Sequence, residues 1–351
     1  GRAVPSHRID PEAQLWKRGG SDVDLRVARP GRVEALLAAH LADRARPAKE
    51  TTSENENTVR PPVVTKHLEL VRYSAPRPEA PPAPWAVALV AYSDLAVRDL
   101  DRVALAGWIH RALVSLIGQG APPVLTGVYP PGQERPANRC AIQVLGRDEL
   151  SWLGESGRSA VAMLLPTDCE PGELVAISTA WAQLTTLRGP GGRRWPILRR
   201  DQRRADHFWS GPAAGQIRHW RTVPGAVPDV RAQGRDWTLA DAICLSVGLV
   251  YRDRFEARIG SGRGREWYRA LAGAVRDSGG EVIEAEEIRR GDFGRWVHRT
   301  PPHLVIRPYS AVLSLGDLAG SQPLVAIGQS RHFAGGLLVP AEMPRHRADT
   351  P

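Results

Sequence analysis

The stretch Pro323-Leu-Val-Ala-Ile-Gly-Gln-Ser-Arg-His-Phe-Ala-Gly-Gly-Leu-Leu-Val-Pro gathers the most chemistry into the shortest span of the chain. A strand pattern runs into Gly328, and Gly335 and Gly336 permit a tight return into a second strand. Between them lie Arg331, His332 and Phe333. Such a loop offers backbone N–H groups, a cation and an aromatic ring together, which suits a phosphodiester with a stacked base. An imidazole there can also give or take a proton near neutral pH. The alternative is a plain β-hairpin whose glycines only make the turn.

A second chemical cluster is the Arg-rich stretch from Arg188 to Arg204, where Arg193, Arg194, Arg199, Arg200, Arg203 and Arg204 are interleaved with Trp195. Cations mixed with an aromatic fit an RNA track; a solvated linker fits the same residues. Glu281 to Glu287 holds four carboxylates, which alternate across strand faces without a His or Asp partner at ligand spacing, so they read as charged surface. No GxxxxGK[ST], GxSxG or HExxH occurs, and the glycines after Ile259 lack a strand-to-helix context. The sequence therefore points to neither a metal nor a cofactor.

A net charge of +9 over 351 residues favours a polyanionic partner, since arginines that neutralise phosphates release condensed counterions. A solvated basic surface on another enzyme is the competing account. Cys140, Cys169 and Cys244 have no CxxC spacing and are expected as free thiols in a reducing cytoplasm. No apolar run is long enough to cross a membrane. The chain opens on Gly-Arg-Ala-Val without Met, and residue 1 is read as an internal cut.

The elements that must position these residues alternate between strands and helices. A strand at Asp24 to Val27 and a helix over Pro30 to Ala42 precede a polar linker from Arg46 to Pro62. Beyond it come a strand-like run at Val63 to Tyr73, a Pro-rich hinge, a strand at Trp85 to Tyr92 and a helix at Val97 to Ile117. Extended segments follow at Val124 to Tyr129, Arg139 to Leu145 and Val161 to Leu165, then a helix at Pro171 to Leu187. After the Arg-rich stretch the pattern restarts. An extended run at His219 to Val227 leads to helices at Thr238 to Val250 and Arg265 to Asp277. Strands are expected at Glu281 to Ile288, His303 to Tyr309, Pro323 to Ile327 and Leu337 to Pro340. The expected fold is α+β, with tandem ferredoxin-like (RRM-like) domains and a C-terminal glycine-rich loop. The expected boundaries are a remnant plus linker at 1–62, a first ferredoxin-like domain at 63–204 and a second at 205–345.

The glycine-rich segment resembles the C-terminal loop of the RAMP superfamily of CRISPR proteins. It is closest to the end of the subtype I-U (also called I-G) fused backbone and repeat-processing protein, with its pattern G-x-x-R-H-x-G-G-G-L-x-x-P. Pro30-Gly-Arg-Val-Glu-Ala-Leu, Arg135-Pro-Ala-Asn-Arg-Cys-Ala-Ile-Gln-Val-Leu and His219-Trp-Arg-Thr-Val-Pro resemble the same family, in the same order. The chain departs from the pattern at Arg139, where some members carry His, and at Ala334, where a third Gly is usual.

The resemblance implies a backbone-type remnant in front, then a repeat-processing portion that grips CRISPR repeat RNA and works with other subunits of an interference complex. It implies metal-independent cleavage by the 2′-OH, with a base, an acid and a cation supplied by the protein. The base is expected in or beside the first helix of the first ferredoxin-like unit, which designates His110, with His332 second and Tyr92 orienting the base. His110 shares a helical stripe with Val103, Ala106, Leu113 and Ile117, so a mostly buried histidine satisfied by one hydrogen bond is the alternative. Expected RNA contacts are Arg331, Phe333, Gly328, Gly335, Gly336, Arg193, Arg194, Arg199 and Arg200. His298 and His303 could face the same cleft or be strand-edge residues. A non-catalytic RNA-binding backbone subunit is the alternative function.

Overall fold

The computed structural model describes residues 8–9, 23–28, 30–44, 67–74, 83–155, 157–213, 216–230, 232–298 and 306–344. The chain divides into two compact units, Gly1–Ala80 and Pro81–Pro351. In the first, strands β1 (Arg8–Ile9), β2 (Val23–Ala28) and β3 (Leu68–Ser74) form an antiparallel sheet in the order β1-β3-β2, with helix α1 at Arg32–Arg44. The run that sequence reading assigned to the following ferredoxin-like domain thus pairs with β2 instead. The linker at 46–62 and most of the Pro-rich hinge lie outside the described residues.

The second unit opens with β4 (Trp85–Ser93), α2 (Arg102–Ile117), the short helix α3 (Pro123–Thr126) and β5 (Ala141–Leu145). Next come α4 (Arg147–Ser151), β6 (Ser159–Pro166), α5 (Pro171–Gln183), the hairpin β7 (Thr186–Arg188) and β8 (Arg194–Pro196), and β9 (Arg199–Arg204). The antiparallel sheet runs β5-β6-β4-β9. Strands β4, β5 and β6 are apolar on both faces because both are covered, whereas the edge strand β9 is polar. Leu89 and Ala91 of β4 pack with Val103, Ile109 and Leu113 of α2, while Trp85, Ala88, Val90 and Tyr92 face the other way. Two expectations are corrected here. Val124 to Tyr129 opens as a helix, because Pro122-Pro123 sets the first turn and Gly127, at φ 73°, ends it. The Arg-rich stretch is not a linker but a hairpin and an edge strand, on which Arg193, Arg194, Arg199, Arg200 and Arg204 are exposed.

The remainder carries β10 (Gln216–Val223), α6 (Leu239–Val250), α7 (Arg252–Ile259), α8 (Arg265–Asp277), β11 (Glu281–Glu287), β12 (Tyr309–Ser314), β13 (Val325–Ala326) and β14 (Leu337–Pro344). Its antiparallel sheet runs β11-β12-β10-β14-β13. Thr238 caps α6 by accepting the Asp241 N–H at 3.2 Å, while Asp241 Oδ2 accepts the Thr238 N–H at 2.7 Å. The strand expected at His303 to Tyr309 starts instead at Tyr309, and His303 lies outside the described residues. The two halves share one core: Trp85, Val90 and Tyr92 pack in the same cluster as Trp209, Trp220, Tyr251, Leu271, Tyr309 and Leu338.

A buried ion pair fixes α2 on this frame. Arg102 donates to the Val144 carbonyl at 2.8 Å and to Glu149 at 3.0 Å, and Glu149 also accepts the Gly146 N–H. Removing one buried partner strands the other charge. Arg102→Met is expected to lower stability by about 3 to 5 kcal/mol in urea unfolding, and the double change Arg102→Met with Glu149→Leu to recover most of that loss.

Candidate nucleic-acid cleft

Three segments converge beside the C-terminal half of α2. The 126–139 loop returns from α3 to β5, the segment ending at His298 leans on α2 from the second half, and the glycine-rich loop spans β13 to β14. They enclose a cavity of about 670 Å³ that includes His110, Tyr129, Arg135, Arg139, Arg252, His298, Arg331, His332 and Phe333. Among the described residues, its lining holds four arginines and three histidines but no carboxylate. Gly127 makes room for Arg139: a Cβ there would sit 1.9 Å from the Arg139 guanidinium, which donates to the Thr126 carbonyl at 3.3 Å.

The glycine-rich loop is held on two sides. Toward β5, Ile142 N–H donates to the His332 carbonyl at 3.1 Å and Ala334 N–H to the Ile142 carbonyl at 2.7 Å, while Gln143 donates to the Arg331 carbonyl. Toward the turn after β10, Gln329 N–H donates to Val227 O and Gly336 N–H to Gly225 O, each at 2.9 Å. Gly328 and Gly336 have positive φ and are packed so closely that a Cβ would meet Val227 O at 2.6 Å and Ile327 O at 2.1 Å. Gly335 N–H donates to Ser330 O. The expectation that this loop presents its glycine backbone to a phosphate is therefore corrected: the glycines serve close packing, and these N–H groups are spent inside the protein. Arg331 is likewise turned inward. Its guanidinium pairs with Asp229 at 2.9 Å, with both side chains largely buried.

Phe333 is the centre of the cleft's ring contacts. His298 stacks on it with centroids 3.9 Å apart, His110 meets it edge-on at 5.2 Å, and Arg139 lies 5.5 Å from its centroid. His110 is half-buried, and its Nε2 stands 3.1 Å from the Leu125 carbonyl. A carbonyl can only accept, so Nε2 carries the hydrogen and Nδ1 holds the lone pair of the neutral ring. Burial lowers the His110 pKa from 6.5; the Leu125 bond opposes the shift, and Arg139 and His298 add to it. Burial, with Arg331 and Arg139 adding, holds His332 well below 6.5, and its Nε2 is enclosed without a partner. The Asp229 carboxyl is pushed up by burial against the pull of Arg331.

The other expected site residues lie elsewhere. Tyr92 faces away from α2; Arg199 stacks over its ring at 4.0 Å, and its hydroxyl points to Glu155 at 3.5 Å. Arg199 pairs with Glu155 at 2.6 Å, and Arg200 donates to the Leu184 carbonyl. Both stand on β9, at the sheet edge opposite β5, which carries the cleft. Arg193 lies 3.9 Å from Asp101, ahead of α2, and Arg194 is exposed on β8. Sequence reading missed Tyr129, Arg135, Arg252 and Asp229 as members or supports of the cleft. Arg135 and Arg139 stood within a segment that resembles the family, Arg139 as a departure from its pattern, while nothing local marks the others. Among the described residues, no group of three or more His, Cys, Asp or Glu could hold a metal ion, and no helix is long and apolar enough to cross a membrane.

Comparison with known proteins returns no matching family model and no matching curated protein. Among solved structures, a chain described as a Cas6 product complex is 15% identical with a TM-score of 0.38, covering 74% of this chain and 100% of that one. A likeness of that size carries no argument about function.

Two outcomes follow from the site. Ala334 sits at φ 55°, where a Cβ is strained, so Ala334→Gly is expected to raise stability by about 1 kcal/mol in chemical denaturation. Because His110 and His332 bind protons less readily folded than unfolded, stability is full above about pH 6.5 and falls as pH drops through their folded values. Thermal melts of wild type and His332→Leu between pH 7.5 and 5 should show a shallower decline in the variant.

Proposed function

We propose that this chain binds CRISPR repeat RNA in the cleft and cuts it without a metal, as the repeat-processing subunit of a subtype I-U interference complex in the cytoplasm. The observation that carries the reading is a cavity of about 670 Å³, roomy enough for a nucleotide, lined among the described residues by four arginines and three histidines with no carboxylate. A polyanion gains there from Arg135, Arg139 and Arg252, while the charge of Arg331 is offset by Asp229 behind the wall.

The framework supports the same reading. The order β4-α2-β5-β6-α5-β9, with sheet order β5-β6-β4-β9, follows a ferredoxin-like plan. In the second half, β10, β11, β12 and β14 take the same relative places, with a 3-10 turn and β13 where the plan has its second helix. The family resemblance at the glycine-rich loop supplies the repeat RNA as substrate.

Within the cleft, neutral His110 is the base: its Nδ1 accepts the 2′-OH proton while Nε2–H stays on Leu125. Arg139, held over Gly127, with Arg135 and Arg252 beside it, supplies positive charge to the phosphorane. Arg331 and His332 act through the packing of the loop. Tyr92 has no part in this chemistry, and Arg199 and Arg200 are at most outlying contacts.

Incubated with labelled repeat RNA in EDTA, the protein should cut it to a cyclic phosphate and a 5′-hydroxyl. His110→Ala should lose about 10²- to 10⁴-fold in rate while keeping affinity. The acid limb of the rate profile should fall below pH 6.5, because the lowered pKa keeps the base unprotonated down to that range. Tight binding without cleavage by wild type would move the assignment to a non-catalytic backbone subunit; absence of both would remove it.

A further inference from the structure

The three histidines of the cleft are not equivalent, and their settings divide the proton work between them. His332 has its Nε2 enclosed in protein. His110 spends Nε2 on the Leu125 carbonyl, which leaves Nδ1 to take a proton. His298 alone of the three is exposed to solvent, from which a side chain can draw a proton between turnovers. Its ring lies over Phe333 with an interplanar angle of 8° and centroids 3.9 Å apart, and the same phenyl ring makes the edge contact with His110 at 5.2 Å. One phenyl ring therefore contacts both imidazoles in a cavity that both line.

The placement of His298 is built rather than incidental. The short 3-10 turn before it, Phe293–Trp296, is tied to the start of α2 by the Arg295–Asp101 ion pair. His298 itself lies against α2 at Gly107, where a Cβ would approach its Nδ1 to 3.7 Å. The helix that carries His110 thus also anchors His298, which fixes the spacing between the two rings.

We propose that His298 is the general acid, protonating the 5′-oxygen as it leaves. This rests on the ribonuclease reading above and adds a catalytic residue to it. In the step, His110 Nδ1 takes the 2′-OH proton as O2′ bonds to phosphorus. The P–O5′ bond breaks with its electron pair on O5′, and that oxygen takes the His298 proton. A 2′,3′-cyclic phosphate and a 5′-hydroxyl result, and the two imidazoles return to their starting states by exchange with water.

The test compares repeat RNA with the same RNA carrying sulfur in place of the 5′-oxygen at the mapped cleavage linkage, because a thiolate leaves without an acid. His298→Ala and His298→Phe, the second of which keeps an aromatic ring on Phe333, should each cut the all-oxygen RNA about 100-fold or more slowly. Both should return to within a few-fold of wild type on the sulfur substrate, whereas His110→Ala stays slow on both. Equal loss on the two substrates would make His298 a positioning residue and overturn the proposal, as would wild-type rates for the variants on normal RNA. Wild-type protein that cuts neither RNA would sink the ribonuclease reading itself, an outcome separate from the other two.

Discussion

The cleft depends on the backbone hydrogen bonds that stitch the glycine-rich loop to β5. Ile142 gives its N–H to His332 and receives that of Ala334, so the loop adds to the sheet edge as a single rung placed beside α2. Every ring contact in the cleft follows from that rung. Phe333 is delivered between His110 and His298, and the Arg331 side chain drops onto Asp229 behind the wall. The glycines matter because a side chain at Gly328 would collide with the Val227 carbonyl of the turn after β10, and one at Gly336 with the Ile327 carbonyl across the loop.

Charge is arranged with the same economy. Among the described residues, arginines and histidines are the charged or protonatable bases of the lining and no carboxylate joins them, while Asp229 stands behind Arg331 in the wall. Burial raises the cost of positive charge on the two imidazoles, and the neighbouring arginines add to it, so His110 and His332 are pushed toward the neutral form. A neutral imidazole facing a cationic cavity is suited to accept a proton from a group that the arginines have drawn in. The Arg102–Glu149 pair belongs to another part of the frame, where its task is to seat α2 on β5.

Much of the frame was legible in the sequence because its periods are strong. The strands β4, β5 and β6 and the helices α2, α5, α6 and α8 stand close to where apolar spacing and capping residues place them. The glycine-rich segment was recognisable as a strand, loop and strand, yet the use of its N–H groups was not, since that depends on the partner carbonyls at Gly225, Val227 and Ile142. Tyr92 was misplaced for a reason the sequence did contain. Alternation along β4 sets it with Trp85 and Val90, opposite the Leu89 and Ala91 that pack on α2. The arginines of β9 were read by charge alone; their pairing with Glu155 and with the Leu184 carbonyl arises from long-range contacts that no local pattern carries. Arg135, Arg139 and Arg252 meet only because loop 126–139 folds back against the start of α7, as the Arg252 bond to the Arg135 carbonyl records.

The central claim is that phosphates bind in the cleft and not along the arginines of β9. The most direct measurement is the salt dependence of repeat-RNA affinity, in which each phosphate contact on a single strand adds about 0.7 to the slope of log K against log salt. The account predicts that Arg135→Ala combined with Arg139→Ala lowers that slope by about 1 to 1.5, while Arg199→Ala with Arg200→Ala leaves it nearly unchanged. The reverse pattern would contradict it.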